Sequence, residues 1–401
     1  MGTKQKPHDA ASRIQDYLVF GEFGDVNPSI TDSSTFTFLS PATMHEVFEH
    51  EIEGCFLYSR HWNPSNKYLS RALAALEDTE SAHATSSGIS AIACTVAQLC
   101  RSGEEMICSR TIYGGTYALL KNFLPRLGIK TKFVNILDLA AVEKAITAKT
   151  RLIYCESISN PLLDVADMAA LAEIANRHGL KLVVDNTFSP MVLTPARLGA
   201  HIVVHSLTKF INGTSDCVAG CICASEPFVA ELSDVNSGAC MLLGPVLDSI
   251  RAASILKNLH SLHIRMQKHS ANGLSLAEGL TGRGYKVHYP GLPDHPQHAL
   301  MKSIMNPAIG FGGMLALDVE TLDRANRLMT MMQEEKVGYL AVSLGYFKTL
   351  FSSPSSSTSS EIPEEERRRM GLSDGLVRIS VGLDHDIGRS LQRILDCLGR
   401  L

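Results

Sequence analysis

From about residue 64 to 260 the apolar positions keep two alternating rhythms. Short β-rich runs, Glu105-Met-Ile-Cys, Lys132-Phe-Val-Asn, Arg151-Leu-Ile-Tyr-Cys, Leu180-Lys-Leu-Val-Val, Ile202-Val-Val and Cys221-Ile-Cys, are separated by stretches with helical spacing. Ile89, Ile92, Ala93, Val96 and Leu99 form the plainest of these helical stretches. Strand-length apolar runs alternating with helical patterns predict an α/β domain with a doubly wound, mostly parallel central sheet, where ligands bind beyond the carboxyl ends of the strands. Residues 1–63 read as an N-terminal arm, with a helix around Ala42–Ile52 and a strand-like segment at Tyr58-Ser-Arg60. Near residue 260 a long basic amphipathic helix, Leu256 to Leu280, leads into three strands. These are Lys286-Val-His-Tyr-Pro, Gly313-Met-Leu-Ala-Leu-Asp-Val and Leu376-Val-Arg-Ile-Ser-Val, and they predict a smaller α+β domain over residues 261–401. The run Ser352-Ser-Pro-Ser-Ser-Ser-Thr-Ser-Ser-Glu361 has the composition of a flexible linker. Its place inside the small domain, just before Arg378, predicts an active-site loop instead.

Composition narrows the function classes. With 401 residues, 45% of them apolar, and a net charge of −4, the chain has room for two domains and a large core. No polybasic or interleaved aromatic-basic stretch points to nucleic acid or an anionic membrane. No apolar run approaches the roughly 20 residues that span a bilayer. The opening Met-Gly-Thr-Lys-Gln-Lys-Pro-His-Asp has neither an apolar signal core nor an Arg/Ser-rich transit composition, so a cytoplasmic location is expected. The ten cysteines are scattered, and Cys94, Cys100 and Cys155 lie in apolar helices or strands, where thiols act as small core residues. Cys217, Cys221 and Cys223 match no zinc spacing, and His45 and His50 are one residue too far apart to share a helix face. No metal is expected.

Two strand ends carry the candidate chemistry. Lys181-Leu-Val-Val-Asp185 closes in a carboxylate, and His201-Ile-Val-Val-His-Ser-Leu-Thr-Lys209 delivers a lysine just past its apolar run. An Asp and a Lys at one sheet edge are the minimum apparatus for pyridoxal 5'-phosphate (PLP). The amine attaches the cofactor and the carboxylate keeps the pyridine nitrogen protonated, so that the ring withdraws electrons from a carbanion. Ser206 and Thr208 offer small hydroxyls to a phosphate. Thr85-Ser-Ser87-Gly88-Ile89 precedes a helical pattern, which sets unpaired N–H groups and a positive helix end at one place. Thr111-Ile-Tyr113-Gly-Gly-Thr116 reads as a glycine-rich turn exposing an aromatic ring that can stack on a flat cofactor. Singly, each of these is an ordinary cap or turn.

In order, Tyr58-Ser-Arg60, Ser87-Gly88, Tyr113-Gly-Gly-Thr116, Glu156-Ser with Asn160-Pro161, Asp185-Asn-Thr187, Ser206-Leu-Thr-Lys209 and Leu376-Val-Arg378-Ile-Ser-Val-Gly382 resemble the Cys/Met-metabolism family of PLP enzymes. That family contains cystathionine synthases and lyases and methionine γ-lyases, and the resemblance runs from about Gly24 to the last helix. It implies the aspartate-aminotransferase-like fold (fold type I). It also implies that Lys209 carries the cofactor, Asp185 pairs with the pyridinium and Tyr113 stacks on the ring. Ser87, the amides of Gly88 and Ile89, Thr187, and the hydroxyls of Ser206 and Thr208 would complete the cofactor site, with Asn160 near the ring's 3-oxygen. Arg378 would clamp the substrate carboxylate with help from Ser343. The equivalents of Tyr58 and Arg60 reach the phosphate of a neighbouring subunit, which implies a homo-oligomer, a dimer or a pair of dimers, acting on a small amino acid.

Differences within the family point to the reaction. Cystathionine γ-synthases and γ-lyases carry a Glu just before the Ser343 position, where this chain has Val342, and an apolar residue suits an uncharged thioether. Microbial methionine γ-lyases carry a Cys where this chain has Gly115. The segments Met241-Leu-Leu-Gly-Pro245, His295-Pro-Gln-His298, Ser343-Leu-Gly-Tyr-Phe and Ser356-Ser-Thr-Ser-Ser360-Glu resemble the plant-type branch, which lacks that Cys; Lys348 departs from it, Glu being usual there. The resemblance implies α,γ-elimination of L-methionine, with Tyr113 as proton donor to sulfur. The alternatives are a cystathionine or cysteine-conjugate lyase of the same family, and a non-catalytic protein on the same fold.

Overall fold

The computed structural model describes residues 9–17, 24–49, 52, 54–356 and 364–401. A sheet of seven strands forms its centre: β1 (Ser81–Thr85), β2 (Glu105–Ser109), β3 (Lys130–Val134), β4 (Thr150–Glu156), β5 (Lys181–Asp185), β6 (Ile202–Ser206) and β7 (Gly220–Ala224). Their spatial order is β1-β7-β6-β5-β4-β2-β3, and β7 alone runs against its neighbours. Alternate residues of these strands enter two separate cores. Ile107, Ile153, Leu182, Val184 and Val203 face one, while Met106, Leu152, Tyr154, Val183 and Val204 face the other. A strand buried on both faces has to be apolar at successive positions, which is why the runs in the sequence are continuous.

β1 breaks that pattern. Of its residues, Ser-Ala-His-Ala-Thr, only Thr85 is β-branched, so the composition is not that of a strong strand former. It is a strand because β7 offers it a full antiparallel ladder, and the helix Pro64–Glu77 packs against it.

A second sheet holds β8 (Lys286–His288), β9 (Met314–Asp318), β10 (Gly338–Leu340), β11 (Thr349–Ser352) and β12 (Leu376–Ser380), in the order β10-β11-β12-β9-β8. Leu315, Leu317, Phe351, Val377 and Ile379 bury its inner face against the helices Leu322–Glu334 and Ile387–Leu398. The sequence pattern predicts three of these strands and misses β10 and β11, each too short to show a period. The serine-rich run begins inside β11: Ser352, Ser353 and Ser355 are buried, and residues 357–361 of the expected active-site loop lie outside the described residues.

The expected single helix from Leu256 to Leu280 is two, Ser249–Leu259 and Leu262–Thr281. Asn258 supplies the reason for the break. Its carbonyl accepts from the Ser261 N–H and hydroxyl and from the Arg265 guanidinium, so it is spent on a turn. In the arm, the helix expected over Ala42–Ile52 spans Pro41–Glu49, and Tyr58 makes a single β-bridge to Thr35 in place of a strand. Among the described residues no helix is long and apolar enough to cross a membrane.

Behind the sheet edge lies a buried ion pair. His205 Nε2 is 2.7 Å from Glu77 Oε1, with the two side chains 0% and 1% exposed, and Asn186, next to Asp185, donates to the same oxygen at 2.9 Å. Burial alone would lower the His205 pKa, but the hydrogen bond and charge of Glu77 outweigh it and raise the value to about 9. A raised histidine stabilises the fold fully below its ordinary value of about 6.5, and that contribution is lost as pH rises through the folded value. The denaturant midpoint is therefore expected to fall between about pH 6.5 and 9. Glu77→Gln should flatten this slope and cost roughly 3 kcal/mol by leaving a buried group without its partner. An undiminished slope in that variant would contradict the assignment.

Candidate active site

The parallel register of β4 and β5 sets Glu156 beside Asp185, with Ser206 closing the next strand. Asp185 Oδ1 accepts the Thr187 N–H at 2.9 Å, and Oδ2 accepts the Tyr154 hydroxyl at 3.3 Å. Burial raises the Asp185 pKa, while Thr187, His205 and Tyr154 pull it back toward the charged form. The Thr187 hydroxyl in turn accepts the Ser206 N–H at 2.8 Å, so the carboxylate and the Ser206 turn are built as one unit. Tyr154, fully buried, has no candidate role in the sequence reading. Its only signal there is its position on β4 two residues before Glu156.

Lys209 lies in the turn after β6, and its Nζ donates to Ser343 Oγ at 3.3 Å. Burial, aided by the nearby Arg378 charge, lowers its pKa to about 8. Arg378, on β12, is 2% exposed and donates to Asn160 Oδ1 at 3.1 Å, to the Ser343 carbonyl at 3.4 Å and to Ser352 Oγ at 3.4 Å. Burial brings its pKa down to about 10. A buried guanidinium resting on neutral acceptors is a receptor for a carboxylate, because buried charge seeks an opposite charge. Ser343 thus joins an amine at one end to a carboxylate receptor at the other. A cleft of about 470 Å³ opens here, walled by Thr208, Cys217, Val218, Arg251 and Ser343, a volume within the range of small-molecule sites.

The helix Gly88–Leu99 begins against Ser206, at the end of β6. Ser87 and Ser90 form a reciprocal cap, which occupies the Ser87 hydroxyl. Among the described residues no acceptor is recorded for the Gly88 and Ile89 amides. A Cβ on Gly88 would lie 2.7 Å from the Ser206 Cβ, so only glycine permits the helix start to approach Ser206 this closely. The Thr208 hydroxyl, expected to face a phosphate, is instead turned into the backbone of Ala219, donating at 3.2 Å and accepting at 3.0 Å.

Tyr113 and Asn160 come to the same place through Glu156. One carboxyl oxygen accepts the Tyr113 N–H at 2.9 Å and the other the Asn160 N–H at 2.7 Å. Burial and the neighbouring Asp185 push the Glu156 pKa up, while the two N–H donors and the Arg378 charge favour the carboxylate, the form in which both oxygens accept. The glycines after Tyr113, expected to form a turn, open a short helix, Gly114–Ala118. The Tyr113 ring lies so close over Gly115 that a Cβ there would be 2.5 Å from it.

Three candidates stand apart from this cluster within the single chain. Arg60 donates to the Met241 carbonyl at 3.3 Å and sits 5.9 Å from the Tyr58 ring centroid, with no recorded bond to Ser206 or Gly88. Val342 is 64% exposed. A charge at that exposure would remain solvated, so the desolvation argument for an apolar residue there requires a bound molecule or a second subunit to cover it.

The described cluster fits pyridoxal phosphate. It offers a low-pKa lysine, a carboxylate at the sheet edge, and two helix-start amides pressed against a serine. Residues 15–393 match the model of the family described as Cys/Met metabolism PLP-dependent enzyme. The chain is 48% identical over 369 residues to methionine gamma-lyase of Arabidopsis thaliana, covering 90% of this chain and 84% of the relative. Among solved structures, cystathionine gamma-lyase from Lactobacillus plantarum, complexed with L-serine, superposes with a TM-score of 0.87 at 30% identity, covering 98% of this chain and 100% of that one. A chain from Campylobacter jejuni described as O-acetylhomoserine (thiol)-lyase, which contains N'-pyridoxyl-lysine-5'-monophosphate, superposes with a TM-score of 0.90 at 25% identity. That match also covers 98% of this chain and 100% of the other.

Proposed function

The chain belongs to the Cys/Met metabolism PLP-dependent enzyme family, and from that premise we propose that it cleaves L-methionine with water to methanethiol, 2-oxobutanoate and ammonia. The observation that carries an amino-acid substrate is the Lys209–Ser343–Arg378 line, an amine and a carboxylate receptor joined by one serine. Methionine is supported by the 48% identity to a methionine gamma-lyase and by Val342, which offers no charge to greet a second ammonium.

Bound pyridoxal phosphate supplies an electron sink for negative charge on the carbon next to the substrate amine. Lys209, which holds the cofactor in the resting protein, moves the Cα proton, and its pKa of about 8 suits a base working near neutrality. Asp185 keeps the pyridine proton. Gly88 and Ile89 through their amides and Ser206 and Thr208 through hydroxyls hold the phosphate, which requires Thr208 to leave Ala219, while Ser87 caps the helix that presents those amides. Thr187 orients Asp185, Asn160 lies near the ring, and Arg378 with Ser343 binds the substrate carboxylate. Lys209, once it has passed on the Cα proton, takes a proton from Cβ, and Tyr113 gives a proton to the departing sulfur. Tyr58 and Arg60 serve the phosphate of a neighbouring subunit in a homo-oligomer, a pair of dimers, located in the cytoplasm.

The Tyr113 role makes Gly115 testable. Gly115→Ala adds a Cβ 2.5 Å from the ring and forces the ring to move. We expect kcat to fall about tenfold or more with little change in melting temperature, since misplacing a reacting group by an ångström costs up to about a hundredfold. A wild-type kcat would contradict the placement of Tyr113. For the reaction itself, kcat/KM for methionine, homocysteine, cystathionine and cysteine should be measured side by side. Methionine is expected to exceed cystathionine by roughly tenfold or more, the size of one well-matched pocket contact. A preference for cystathionine would assign the chain to the cystathionine lyases instead.

A further inference from the structure

Glu156 belongs to the sequence pattern of the site, yet the reaction outlined above gives it no task. Its burial is costly: it is 7% exposed and ends β4 in register with Asp185, so two carboxyl groups share one sheet edge. Each of its oxygens is committed. One takes the N–H of Tyr113, which leaves β2 and starts the helix Gly114–Ala118, and the other takes the N–H of Asn160 in the turn after β4. The Asn160 side chain accepts from Arg378 at 3.1 Å. A single carboxylate therefore ties the backbone that carries Tyr113 to the turn that carries Asn160, and through it to the buried guanidinium.

We propose that Glu156 is a positioning residue for the reaction, fixing where the Tyr113 ring and hydroxyl stand relative to Arg378 by holding both loops on one carboxylate. The inference rests on the reading that Tyr113 hands a proton to the leaving sulfur. A role confined to folding is met as well by a neutral group of the same size. Here both oxygens face N–H donors, so an amide in place of the carboxylate turns its own NH2 toward one of them and releases that loop. The neighbouring charge of Asp185 makes a carboxylate at this point still less favourable, while the Arg378 charge offsets part of the cost.

The test uses holoenzyme of Glu156→Gln, Tyr113→Phe and the double variant. Glu156→Gln is expected to bind cofactor at full occupancy but with altered visible-region circular dichroism per bound cofactor, because the ring beside it shifts. Its kcat for methionine should fall by roughly thirtyfold with KM changed less than about threefold, the signature of an interaction needed after binding. In the Tyr113→Phe background the same change should cost less than about threefold, because coupled residues do not lose rate additively. Should Glu156→Gln not fold, Glu156→Asp keeps the charge, cannot span both amides, and is read by the same cycle. Unaltered dichroism, or a full penalty in both backgrounds while Tyr113→Phe is itself slow, overturns the inference and leaves the Tyr113 role standing. A Tyr113→Phe protein of wild-type rate overturns the Tyr113 reading and this inference with it.

Discussion

Lys209→Ala protein is expected to fold normally, lose the visible absorption of covalently held cofactor, and retain less than about one part in 10⁴ of wild-type turnover. The residue is the hinge of the site in three respects. It is the amine beside Ser343 and Arg378, its pKa is lowered to about 8 by burial, and the register of β6 fixes it one turn beyond Ser206. Its loss does not expose a broken ion pair, since its recorded partner is a neutral hydroxyl, so stability without cofactor should change little. The measurement is methanethiol release from methionine together with the spectrum of the purified protein. Turnover above about one percent of wild type would remove Lys209 from the proposed chemistry.

Asp185→Asn carries the second largest expected effect. The amide can keep the Thr187 N–H bond, so the turn that supports Ser206 should survive. What it cannot keep is the negative charge that holds a proton on the pyridine nitrogen, and without that proton the ring is a poor electron sink. We expect kcat to fall by roughly a hundredfold or more, the scale on which removing one preorganised electrostatic group acts, with cofactor still bound. A kcat within about threefold of wild type would contradict the sheet-edge assignment.

Much of this was legible in the sequence because it follows from short-range pattern. Apolar runs ending in Asp185 and in Ser206 mark buried strands, and Ser87-Gly88 before a helical period marks a helix start. What escaped depends on partners distant in the chain. β1 has weak propensity and exists through its ladder with β7, and the break at His260 and Ser261 comes from Arg265 taking the Asn258 carbonyl. The contact of Arg378 with Asn160 spans 218 positions, and the bond from Tyr113 to Glu156 spans 43. No local period encodes either. Thr208 shows the converse: its place in a suitable turn points to a ligand, while in the structure its hydroxyl bonds the backbone of Ala219, a partner 11 positions away that a bound phosphate has to displace.

The most direct test of the proposed reaction is the identity and ratio of products from L-methionine alone. The account predicts 2-oxobutanoate, methanethiol and ammonia in equal amounts, with one water consumed. Methionine left intact under conditions where the same protein cleaves cystathionine, or a keto acid other than 2-oxobutanoate, would contradict it.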